Sequence, residues 1–149
     1  MINQYAPPRA NLVSLQARTR NWHLVLSTLI GAATWPLTVF AVLFADSAVW
    51  PLLGGGYPPQ YSAAIIFLAS ASVAIVSCLV MSIWSRNAWY LQWLCFLLGA
   101  CVCVLVLAYF QNGTITLGLV ILRRHAFVGL ALASFGTLAG VAYVRRTRT

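Results

Sequence analysis

The chain has no lysine and no glutamate, and Asp46 is its one acidic residue against nine arginines. A single carboxylate cannot form a general acid/base dyad or a carboxylate-rich metal site, which removes most hydrolytic and hard-metal chemistry. Charge of either sign is scarce: 7% of the residues carry it, whereas 62% are hydrophobic. A soluble domain cannot cover that much apolar surface with so little charge, but a chain dissolved in lipid has no need to. The sequence therefore reads as an all-α integral membrane protein. No nucleic-acid partner and no resident metal or cofactor is expected.

A bilayer core of about 30 Å needs roughly 20 apolar residues of helix. Four segments meet this: Leu24 to Ala45, Tyr61 to Trp84, Ala88 to Phe110 and Ala126 to Val144. The first is too long for the apolar core of a secretory signal peptide and lacks a small-residue cleavage site after it. The expected architecture is one compact four-helix domain over residues 1–149, preceded within it by a basic tail, residues 1–21.

Basic residues in short loops stay on the cytoplasmic side or its equivalent. Arg9, Arg18 and Arg20 precede the first span, Arg86 lies between the second and third, and Arg145, Arg146 and Arg148 follow the fourth. An even number of spans puts all of these on one face, so both termini are expected inside, in a bacterial inner membrane or an organellar one. Trp22, Trp84, Trp89, Tyr90, Trp93 and Tyr143 would mark the inner headgroup level. Trp50, Tyr57, Tyr61, Tyr109 and Phe110 would mark the outer one.

Between the third and fourth spans, the apolar run Ile115 to Leu122 is followed by Arg123, Arg124 and His125. A fourth helix starting at Thr114 would be about 45 Å long and would put both arginines in hydrocarbon. The cheaper arrangement is a short interfacial or partly re-entrant segment from Thr114 to Leu122, with the arginines at the outer surface; the long tilted helix is the alternative. At the other end of the chain, Pro7 and Pro8 close an extended tail. Asn11 to Asn21 then reads either as a short amphipathic helix, with Leu12, Leu15 and Trp22 toward lipid and Arg18 and Arg20 toward headgroups, or as a solvated basic tail. Pro36 inside the first span removes one helical hydrogen bond, and the Thr34 hydroxyl is placed to compensate near it. Gly54, Gly55 and Gly56 lack the strand, helix and basic residue of a phosphate loop and read as an outer turn.

Small residues recur along the spans. Gly129, Ala133, Gly136 and Gly140 form a stripe on the fourth that includes a GxxxG. Ser70, Ala74 and Cys78 recur on the second, and Cys95, Gly99 and Cys103 on the third. Such residues let helix backbones approach closely in lipid, within one chain or between subunits. There is also an internal echo. Arg20-Asn21-Trp22 leads to Leu29-Ile30-Gly31-Ala32, and Arg86-Asn87-Ala88-Trp89 leads to Leu97-Leu98-Gly99-Ala100, with the spacing differing by two residues. A parallel duplication of a two-helix unit would produce it; chance in a narrow alphabet would as well.

The candidate chemistry is sparse. His23 and His125 are the only histidines, but they fall at opposite ends of the spans and cannot ligate one haem. Either could contact a quinone, a pigment or a lipid. Cys78, Cys95, Cys101 and Cys103 lie within spans and read as small hydrophobes. Asp46 shares the outer face with Arg123 and Arg124, so an ion pair among them would tie the first helix to the fourth; an Asp capping the loop in water is the alternative. Asn112-Gly113-Thr114 fits a glycosylation acceptor in form, but against a membrane it reads as a turn.

These features lead to a non-catalytic accessory or assembly subunit of a larger membrane complex, of the respiratory or photosynthetic kind. Its expected partners are the lipid bilayer and other membrane subunits or copies of itself. The alternative is a small oligomeric transporter, flippase or channel-like protein handling an anionic or lipid substrate.

Overall fold

The computed structural model describes residues 9–54, 59–84 and 88–148, with their side chains from residue 21 onward except at 121. The described residues form five α-helices: α1 (Arg9–Val49), α2 (Pro59–Ser82), α3 (Trp89–Asn112), α4 (Thr116–Leu122) and α5 (His125–Thr147). A 3-10 turn, Trp50–Leu53, follows α1. Four segments are long and apolar enough to cross a membrane: Asn21–Leu53, Pro59–Ser82, Trp89–Asn112 and His125–Thr147.

Each boundary has a local cause. Proline opens α2, where its missing N–H would have had no partner anyway. Gly113, at φ 65°, ends α3 in the left-handed conformation, its N–H bonded to the Tyr109 carbonyl at 2.8 Å. Gly54, also at φ 65°, closes the 3-10 turn onto Trp50. Gly55, Gly56 and Tyr57 of the expected outer turn, and Arg86 and Asn87 of the echo, lie outside the described residues.

The segment before the last long helix is a separate helix, α4, rather than the start of a longer one. Arg124 is extended, at φ −80° and ψ 163°, so the helix cannot run through it. The Arg124 carbonyl then accepts the first bond of α5, from Phe127 N at 3.1 Å. The N-terminal stretch departs from expectation: from Arg9 the backbone is helical and continuous with α1, in one helix of 41 residues, about 61 Å long. Residues 9–21 contain no glycine or proline, and extending an existing helix avoids the nucleation cost. Pro36 does not break α1 either. The Thr34 hydroxyl donates to the Gly31 carbonyl at 2.6 Å, not to the Ala32 carbonyl whose partner the proline removes.

Around the assembly, α1 packs on α3 and α2, and α5 packs on α2 and α3, so α1 faces α5 only across a diagonal. The contact of α1 with α3 is backbone on backbone. A Cβ built on Gly31 would lie 2.0 Å from the Phe96 carbonyl oxygen, and one built on Gly99 would lie 2.0 Å from the Thr28 carbonyl oxygen. The relation is reciprocal, since Phe96 and Thr28 each stand three residues before the partner glycine. Gly31 and Gly99 are also the matched glycines of the sequence echo. The element order repeats with them: long helix, short helical piece, long helix, first as α1, the 3-10 turn and α2, then as α3, α4 and α5.

The main core comes from α2, α3 and α5, where Ala74, Cys78, Met81, Phe96, Ala100, Leu130 and Leu138 pack together. A smaller cluster of Trp35, Val104 and Ala126 lies toward the opposite end. One side-chain bond crosses the seam of α3 and α5: Trp93 Nε1–H donates to Ser134 Oγ at 3.0 Å. Interhelical hydrogen bonds of this kind average about 0.6 kcal/mol in membrane proteins, and a stranded buried donor adds to that. Ser134→Ala is expected to lower unfolding free energy by about 1 kcal/mol, read by denaturant titration in detergent. Ser72→Ala, an exposed serine bonded only to its own helix, should leave it unchanged.

Candidate functional site

The ends of three helices meet beside His23. Leu26 and Ile30 of α1, Met81 of α2, Trp84 just beyond it and Gln92 near the start of α3 line a crevice with it. That grouping puts the beginning of α1, the end of α2 and the beginning of α3 at one end of the molecule. Arg145, near the end of α5, reaches the same level and donates from Nη2 to the Ser82 carbonyl. An arginine there satisfies a carbonyl left without an intrahelical partner at the end of α2 and complements the helix dipole.

The polar groups at this end are unevenly satisfied. Ser27 Oγ donates to the His23 carbonyl at 2.9 Å, and Ser82 Oγ donates to the Leu79 carbonyl at 2.7 Å. Gln92, only 5% exposed, has no partner for Oε1, and His23 has none for Nδ1. An unmet buried polar atom costs about 1–3 kcal/mol, and both belong to residues lining the same crevice. As it stands the crevice is too narrow for a water molecule, so solvent does not relieve them. Gln92 was visible in the sequence as the one amide inside an otherwise apolar run from Trp89 to Phe110. Its placement beside His23 was not, because that depends on how α1 and α3 cross.

The remaining candidates lie apart. His125 is exposed at the start of α5, 20 residues before Arg145, or about 30 Å along the helix, so the two histidines sit at opposite ends. Asp46 is half-buried near the end of α1, while Arg123 and Arg124 are exposed between α4 and α5. Among the described residues no ion pair joins them, and the reason is the packing order: α1 and α5 are diagonal, with α2 and α3 between.

The small-residue stripe on α5 divides in two. A Cβ on Gly129 would meet Ser70 Oγ at 2.5 Å and the Phe67 carbonyl oxygen at 2.8 Å, so this glycine seats α5 against α2. Ala133 packs on the main core. Gly136 and Gly140 are exposed, with nothing within 4 Å of a built Cβ. Cys78 is in the core, and Cys95, Cys101 and Cys103 are partly buried; all are free thiols. Among the described residues, no three His, Cys, Asp or Glu side chains come together to hold a metal. No family model matches the chain, and neither a curated protein nor a solved structure is significantly similar to it.

Proposed function

We propose that this chain is a non-catalytic accessory or assembly subunit of a larger complex in an energy-transducing inner membrane. In this reading it is a compact four-helix bundle with both termini on the cytoplasmic face or its equivalent, and α4 lies at the opposite headgroup level. The observation that carries the proposal is the contrast between two glycine sets. Gly31, Gly99 and Gly129 are used up inside the chain, where helix backbones meet directly. Gly136 and Gly140, a GxxxG at the far half of α5, stand open beside the exposed Leu132, Phe135 and Tyr143. A backbone groove flanked by large apolar side chains is the shape that receives a helix from a neighbouring subunit.

The transporter reading has less behind it. A substrate path needs a run of polar groups with hydrogen bonds to offer, yet Thr34, Ser70 and Ser134 all donate to carbonyls of their own helices, and among the buried hydroxyls of the described residues Thr38 Oγ1 alone lacks a partner. The contact of α1 with α3 leaves no gap at the crossing. Mild-detergent purification from the native membrane should retain at least one other membrane protein, identified by mass spectrometry. Gly136→Ile is expected to cut its recovery at least tenfold, whereas Leu43→Ile, a shape change at an exposed position on α1, should not. A partner-free, monodisperse preparation that moves substrate in vesicles would overturn the proposal in favour of transport.

A further inference from the structure

The His23 and Gln92 crevice has a property that assembly does not use: two buried polar atoms without partners on one small surface. Gln92 Oε1 can only accept, so whatever satisfies it must bring a donor. His23 Nδ1 donates in the tautomer that carries the proton there, and in that tautomer its partner must accept. A single hydroxyl does both. A carbonyl cannot, because it has nothing to give Gln92.

The walls narrow the class further. Leu26, Ile30 and Met81 are apolar, Trp84 offers an aromatic face, and His23 is the only titratable residue of the lining. Among the described residues no arginine or acid lines the crevice, so its described walls favour a neutral hydroxyl. Trp84 stands in the turn after α2 and is 41% exposed; because the crevice as it stands does not admit a water molecule, binding requires this wall to swing outward. Its position at the end of a membrane-length helix puts the crevice at the depth where amphiphile heads reside.

We propose that this crevice binds the hydroxylated head of a membrane amphiphile. One hydroxyl accepts from His23 Nδ1–H and donates to Gln92 Oε1, while the ring or chain behind it rests against Trp84, Met81 and Ile30. A quinol and the glycerol hydroxyl of a lipid share this chemistry. The proposal stands independently of the assembly role.

The test uses the purified chain in nanodiscs of phosphatidylcholine, with decylubiquinol, decylubiquinone and phosphatidylglycerol as probes, read by native mass spectrometry and thermal shift. Saturable binding of decylubiquinol or of phosphatidylglycerol is expected, and whichever binds identifies the source of the hydroxyl. Decylubiquinone should bind at least tenfold more weakly than decylubiquinol. Gln92→Leu should lower affinity for the bound probe at least tenfold and raise the ligand-free Tm, because it removes the unmet acceptor. His23→Phe should also weaken binding, and it carries the test if Gln92→Leu does not give a folded preparation. Leu98→Met, exposed on α3, should change nothing. Absence of saturable binding, or affinities within twofold of the parent in both Gln92→Leu and His23→Phe, would overturn the proposal.

Discussion

Gly31→Ala and Gly99→Ala should each destabilise the chain by about 3 kcal/mol, at the upper end of what overpacking costs. The added methyl would sit 2.0 Å from a carbonyl oxygen in both cases, where an ordinary carbon to oxygen approach is about 3.3 Å. The obstacle is backbone of the facing helix rather than the tip of a side chain, so relief requires α1 and α3 to move apart along their shared length. Because the two glycines meet at one crossing, the double variant should cost much less than the sum of the singles: once either methyl has separated the helices, the second finds space. Gly129→Ala should fall below these, since Ser70 Oγ can rotate away and leave the Phe67 carbonyl oxygen at 2.8 Å and the Phe67 ring at 3.3 Å. Gly140→Ala, in open space, should be neutral or slightly stabilising through helix propensity. Denaturant titration in mild detergent, followed by tryptophan fluorescence, gives all of these values. Additivity of Gly31→Ala with Gly99→Ala would mean that the crossing is not shared.

The number and limits of the long helices were legible because length and charge determine them. An apolar run bounded by arginine, tryptophan and proline has few places to end, and the expected ends fall within a few residues of the observed ones at α2, α3 and the last helix. The start of α1 was not legible in the same way. Hydropathy reports where a helix leaves lipid, not where its hydrogen bonding stops, and residues 9–21 continue the helix without being apolar.

Rotation of each helix about its axis was the harder matter. A soluble helix displays its buried face by its polar opposite side, but α2 and α3 are apolar all round and offer no such contrast. The spacing of Gly129, Ala133, Gly136 and Gly140 therefore gave a stripe without saying which part would be covered. Leu138 could not be distinguished from Leu132, although the first is core and the second exposed. The echo around Gly31 and Gly99 coincides with one packed face, although as sequence it is equally what chance in a narrow alphabet produces. Its matched glycines are residues through which α1 and α3 touch.

Single-cysteine labelling should give an all-or-none result for the orientation. In a chain whose Cys78, Cys95, Cys101 and Cys103 are replaced by alanine, Thr147→Cys should be protected from an impermeant reagent added outside intact cells, and Gly55→Cys should react to near completion. The cause is the distribution of arginine. In the sequence Arg9, Arg18 and Arg20 precede the first span, Arg86 separates the second from the third, and Arg145, Arg146 and Arg148 follow the fourth, against Arg123 and Arg124 alone between the third and fourth; the more basic side is the one expected to stay inside. Arg145 strengthens the argument because its contact with Ser82 holds the ends of α2 and α5 at one level, so the two loops cannot slip to opposite faces independently. Removing the two outer arginines by Arg123→Gln and Arg124→Gln should leave the pattern unchanged, since it only sharpens the bias. Removing Arg145, Arg146 and Arg148 together should leave the C-terminal side less protected. Reaction at position 147 with protection at 55 in the otherwise unaltered chain would invert the topology and move the His23 and Gln92 crevice to the outer leaflet.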